Sequence, residues 1–228
     1  MIGKNRSQIE PGADSNFITF EQMSIIANSQ RLWMQLAIWI RDLSYTVFRD
    51  SERKAITFNR LYQRVTMDFY NMISIFYGNE IAQQFLNLFS NFILNLWHVM
   101  ESLNENNQKA INTNTVQLYQ SANVFAQFFS RINLYWDEAQ WKSLLYQYIR
   151  MKIDNALAIA AKDFEREVVV FDRIQNLAIL MGNYMARGII ARNLPWNDEE
   201  AANQVASGSL DYFTYIFGSL CPKEQTIS

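Results

Sequence analysis

The sequence predicts an all-α protein: a bundle of three tandem α-hairpins with pseudo-threefold character, followed by a C-terminal helix. Three observations carry this. Only seven glycines and three prolines occur in 228 residues, too little turn punctuation for a strand-rich fold. Apolar residues recur at helical spacing through most of the chain. Three segments also read as copies of one another, spaced 56 residues apart: Leu32-Trp33-Met34-Gln35-Leu36-Ala37, Leu88-Phe89-Ser90-Asn91-Phe92-Ile93 and Leu144-Leu145-Tyr146-Gln147-Tyr148-Ile149. Each copy carries an amide at its fourth position: Gln35, Asn91 and Gln147. Hairpins that cannot bury a face alone close together into one bundle.

Residues 1–18 read as a flexible polar lead-in that lacks the apolar run of a secretory signal. Thr19 and Gln22 form a capping box that opens a first helix from Phe20 to Phe48. Its stripe is Ile26, Trp33, Leu36, Ile40, Leu43 and Val47. After the turn Asp50-Ser51-Glu52, a second helix over 54–76 carries Phe58, Leu61, Val65, Met72 and Ile75 and stops at Tyr77-Gly78. The second hairpin follows the same plan. Phe85, Leu88, Phe92, Leu96 and Val99 line a helix over 80–103, Asn104-Glu105-Asn106-Asn107 turns the chain, and a fourth helix covers 109–132.

In the third hairpin Asp137 is the N-cap, with Gln140 in the box position, for a helix over 138–161. A sixth covers 164–193. Val168-Val169-Val170 has strand propensity, but Phe164, Val168, Phe171, Ile174, Ala178 and Met181 keep helical spacing, so the run is read as helix. The second helices also echo one another: Leu61-Tyr62-Gln63 matches Leu118-Tyr119-Gln120, at an offset of 57. Residues 194–228 lie outside the repeat as a C-terminal helical arm. Asp198-Glu199-Glu200 suits a helix start, and Tyr212, Phe213, Tyr215 and Phe217 precede Cys221-Pro222. Such an arm either packs back on the bundle or mediates self-association.

A net charge of −2 gives no electrostatic basis for binding nucleic acid or an anionic membrane surface. The single cysteine, Cys221, excludes an internal disulfide framework and fits a reducing compartment. No apolar run approaches the roughly 18 residues of a membrane span. A cytoplasmic protein is the expectation.

The centre of the apolar stripe holds Leu36, Phe92 and Tyr148 at equivalent positions, which reads as core. The third copy departs from the other two. Where they carry Ile40 with Leu43 and Leu96 with Val99, it has Lys152 and Asn155. A lysine there either snorkels to solvent or needs a carboxylate, for which Asp68 and Asp172 are the candidates. Tyr148, Lys152, Asn155, Asp68 and Asp172 are therefore the candidate ligand-binding residues. Asp42, His98 and Asp154 also share the 56-residue spacing and form a weak candidate metal set. Helical phase sets His98 away from the buried stripe. The chain has no phosphate-binding glycine loop, no H-E-x-x-H, no C-x-x-C and no nucleophile–base pair. No cofactor and no catalytic residue is expected.

Asn133-Leu134-Tyr135-Trp136 with Trp141-Lys142-Ser143-Leu144-Leu145, Phe171-Asp172-Arg173-Ile174 and Gly188-Ile189-Ile190 belong together. With Leu32-Trp33-Met34-Gln35 and Phe76-Tyr77-Gly78, they resemble a family of small helical proteins of spore-forming Firmicutes, often labelled acetylglutamate kinase. Amino-acid kinases are α/β and glycine-rich at the phosphate site, so the kinase label does not fit this chain. The resemblance implies Gln-His, Glu-His and Glu-His where this sequence has Gln35-Leu36, Asn91-Phe92 and Gln147-Tyr148, and Asp at Asn123 and Asn183. Asp68 and Asp172 match. Every departure removes a ligand-type group. The reading is a non-enzymatic structural or scaffolding protein that self-associates through its C-terminal arm, and the resemblance implies association with the spore. The alternative is a metal- or small-ligand-binding bundle with a modified core pocket.

Overall fold

The computed structural model describes residues 18–193. All regular structure in this range is helical, in six helices. These are α1 (Phe20–Phe48), α2 (Lys54–Asn59, Arg60–Val65 and Thr66–Tyr77 in succession), α3 (Asn79–Asn104), α4 (Gln108–Ile132), α5 (Glu138–Ala161) and α6 (Phe164–Asn193). The all-α class and the helix boundaries follow the sequence reading, including helix over Val168-Val169-Val170. None of the described helices is long and apolar enough to cross a membrane. The expected lead-in and the C-terminal arm lie outside the described residues.

Local signals set the ends. Thr19 N donates to Gln22 Oε1 at 3.0 Å and Gln22 N to Thr19 Oγ1 at 3.2 Å, closing the capping box. Gln140 N donates to Asp137 Oδ1 at 2.7 Å at the start of α5. Asp163 does the same for α6 through Arg166 N, at 3.1 Å. Gly78, at φ 81°, is the single residue between α2 and α3; that left-handed backbone lets one helix stop and the next start without a loop.

From α2 to α6 consecutive helices pack side by side, and α3 also meets α5. The ring closes where α6 returns to α1. A Cβ on Gly182 would lie 2.6 Å from the backbone of Gln30, so the two helices touch backbone to backbone. Gln30 Nε2 donates to Asn183 Oδ1 beside this crossing, at 2.6 Å. At the far end of α1, Arg49 donates to the carbonyls of Ile159 and Ala160, among the last carbonyls of α5.

Burial returns at the 56-residue offset. Trp33, Leu36, Ile40 and Leu43 of α1 are buried, and so are Phe89, Phe92, Leu96 and Val99 of α3 and Leu145, Tyr148, Lys152 and Asn155 of α5. The second helices show a change of phase. Leu61 matches buried Leu118 at an offset of 57, whereas Val65, Thr66, Phe69, Met72 and Ile73 match Ser121, Ala122, Phe125, Phe128 and Phe129 at 56. Thus α2 holds one residue more than α4 between Leu61 and Val65. That stretch is the π-helical turn Arg60–Val65, whose wider winding absorbs the extra residue and returns the buried face to phase.

Two glycine substitutions separate two kinds of cost. Gly182→Ala forces α1 and α6 apart and is expected to cost about 2–3 kcal/mol by overpacking. Gly78→Ala meets no atom within 4 Å, so only its backbone conformation, φ 81° with ψ 166°, is penalised, by about 1–3 kcal/mol. Urea unfolding checks both; an unchanged midpoint for Gly182→Ala would contradict backbone contact there.

Candidate functional site

Lys152 is 1 % exposed, near the middle of α5. It does not snorkel, because its phase is that of buried Ile40 and Leu96, and α1 and α6 close over its stem. Its Nζ donates to the carbonyl of Ala37 at 2.7 Å. It also lies 5.4 Å from the Tyr148 ring centre and 5.6 Å from that of Phe171. Neither Asp68 nor Asp172 pairs with it: Asp172 faces outward from α6, and Asp68 sits half-buried on α2.

The carboxylate at this level is Glu167, on the first turn of α6 and 1 % exposed. Arg41 of α1 grips it with both arms, Nε to Oε1 and Nη2 to Oε2, each at 2.7 Å. Asn155 Nδ2 donates to Glu167 Oε1 at 2.9 Å and to its backbone carbonyl at 3.2 Å. Tyr45 OH donates to Oε2 at 3.3 Å. The Arg41 guanidinium also stacks 4.3 Å over Phe171. Three helices are joined here: α1 by Arg41, Tyr45 and Ala37, α5 by Lys152 and Asn155, and α6 by Glu167.

Glu167 and Arg41 are absent from the sequence-level candidates. Their signal was available, since Glu167 is in phase with Phe171, Ile174 and Ala178, all buried.

Burial pushes the Glu167 carboxyl up, but hydrogen bonds from Arg41 and Asn155, with the Arg41 charge, outweigh it and hold the group below the usual range. Burial drives the Lys152 amine well below its ordinary 10.5, Arg41 adds to this, and Glu167 opposes it. Burial raises the Tyr148 phenol well above 10.0. Two polar atoms at this level have no hydrogen-bond partner, Tyr148 OH and Asn155 Oδ1. They lie on α5 on either side of Lys152 along the helix. Tyr148, Lys152 and Asn155 therefore do share one buried face, as the spacing indicates, and the cluster sets a buried amine beside unused hydrogen-bonding groups.

The metal set does not assemble. Asp42 accepts from Thr57 Oγ1 at 3.0 Å and pairs with Arg53 at 3.3 Å. Asp154 pairs with Arg166, and His98 is exposed on α3. Among the described residues no three His, Cys, Asp or Glu side chains could hold a metal ion. No family model, curated protein or solved structure matches the chain.

Replacing Lys152 tests the buried amine. With its folded-state pKa below the unfolded value, the unfolded chain binds the extra proton at intermediate pH. The lysine therefore lowers stability at low pH, and the penalty fades as pH rises toward 10.5. Lys152→Met should stabilise the protein by more than about 1 kcal/mol near pH 6 and by progressively less toward about pH 10. Chemical unfolding across pH measures this; a gain independent of pH would show that the amine titrates normally. Glu167→Ala leaves Arg41 and Asn155 unpaired and should cost about 3 kcal/mol in the same assay.

Proposed function

We propose that the chain is a non-enzymatic helical structural protein that acts through self-association in a reducing cellular compartment. The observation that carries this reading is the outer face of α6. Phe164, Val168, Val169 and Leu180 are each more than half exposed there, at 52 %, 51 %, 59 % and 51 %. Phe164, Val168 and Leu180 share the fourfold-spaced row that also holds Asp172 and Asn176, Val169 lies beside it, and Leu157 of α5 is exposed as well. The sequence also carries the aromatic segment Tyr212-Phe213-Thr214-Tyr215-Ile216-Phe217, outside the described residues. Leu36, Phe92 and Tyr148 support a filled axis, all at 0 % exposure. The return of burial at the 56-residue offset supports three equivalent hairpins.

A second reading, a bundle that holds a small polar molecule beside Lys152, is favoured by the unpartnered Tyr148 OH and Asn155 Oδ1. Native mass spectrometry of the purified protein separates the two: a stoichiometric small-molecule adduct supports the second.

Self-association predicts an oligomer by light scattering. Val169→Glu with Leu180→Glu, or a chain ending at residue 193, should shift it toward monomer while leaving helicity unchanged. A full-length monomer at the highest soluble concentration counts against the proposal.

A further inference from the structure

The outer surface of the third hairpin carries a groove of about 430 Å3 between α5 and α6. Gln147, Arg150, Met151 and Asp154 line it from α5, and Val170 and Arg173 from α6. The corresponding groove between α3 and α4 is nearly the same size, about 420 Å3, but its polar lining is uncharged amide and hydroxyl. Gln117 stands where the third hairpin has Arg173, and Leu94 where it has Arg150. The charge is therefore a property of one groove, not of the hairpin plan.

Asp154, the single carboxylate in the lining, is engaged by Arg166. Among the described residues neither Arg150 nor Arg173 forms an ion pair. Setting Arg166 against Asp154 leaves two guanidinium groups, and two positive charges, on one concavity of a chain whose net charge is −2. Guanidinium forks match tetrahedral oxyanions with paired hydrogen bonds. A dianionic head balances both groups, whereas a carboxylate balances one. Met151 and Val170 provide apolar surface beside them, and the volume exceeds what a bare phosphate ion fills.

We propose that this groove binds a phosphate monoester, its phosphoryl head between Arg150 and Arg173 and its apolar body against Met151 and Val170. The site is argued from the charge of the groove and not from the self-association reading, although Arg173 lies one turn from Val169 on the same side of α6.

Methyl-labelled methionine gives a direct probe in the full chain, with the Met151 signal assigned through Met151→Leu. Titration with phenyl phosphate should shift that signal saturably. Inorganic phosphate, lacking the apolar body, and benzoate, lacking the second charge, should each bind at least about tenfold more weakly. Arg150→Gln and Arg173→Gln should each weaken phenyl phosphate about tenfold with an unchanged melting temperature, both side chains being exposed. Gln117→Arg in the neutral groove serves as a control and should leave the Met151 titration unaltered. No saturable shift overturns the proposal, as does binding that survives both arginine replacements. Equal affinity for benzoate overturns the phosphate assignment.

Discussion

Trp33 sits where four helices must be mutually compatible. Its indole is fully buried and meets Phe69 of α2 at 5.3 Å, Phe89 of α3 at 6.5 Å, and Trp141 and Tyr148 of α5 at 5.9 and 6.3 Å. Most of these contacts are edge-to-face, the arrangement that ring quadrupoles favour. Phe69, Phe85, Phe89, Phe125 and Phe129 extend the cluster, with Trp141 stacked on Phe129 at 4.3 Å. The glycines serve a different need: Gly182 admits the backbone of α1, and Gly188 admits the Trp136 indole. Their missing side chains let α6 approach its neighbours closely.

Below this aromatic level the interior changes character. Lys152, Asn155 and Glu167 are buried with Arg41 at the rim, in a layer that the first two copies fill with Ile40, Leu43, Leu96 and Val99. Burying such groups costs several kcal/mol per ion, and only good geometry offsets the cost. The bidentate Arg41–Glu167 pair supplies it, because both carboxylate oxygens are used. Lys152 is served less well. A single carbonyl accepts from it, and the aromatic rings of Tyr148 and Phe171 take the remainder of the contact. The layer gives α6 a defined register on α1 and α5 that apolar packing would leave looser.

How much of this could be read from the residues varies with the kind of signal. Helix ends were legible because each rests on a local rule: Thr19 with Gln22, Asp137 with Gln140, and Gly78. The axis was legible through the 56-residue spacing, since phase alone decides which positions face inward. The π-helical turn left only a trace, the offset of 57 at Leu61-Tyr62-Gln63, which gains meaning once burial shows where 56 resumes. The neighbours of Lys152 were less legible. Phase sets Glu167 on the buried face of α6 with Phe171 and Ile174, but it does not say that Arg41 takes this carboxylate and leaves Lys152 to the Ala37 carbonyl. Glu167 was further disguised by Glu165 and Arg166, whose exposure makes the run look like a solvated face.

The α5–α6 pair departs from α3–α4 on both of its surfaces at once. Arg150 and Lys152 are two positions apart on α5, which turns them roughly 200° from each other. One lines the outer groove and the other enters the core. Cross-helix pairs match on the two sides: Asn155 with Glu167 within, Asp154 with Arg166 without. Each joins α5 to α6 across the same span of sequence, on opposite faces of the seam. Beside the apolar contacts of Leu144, Leu145, Ile149, Ala156 and Ile159, these two pairs add polar links between α5 and α6. The α5–α6 seam thus combines polar pairs that fix its spacing inside with unpaired cations outside, and this combination sets it apart from the neutral groove between α3 and α4.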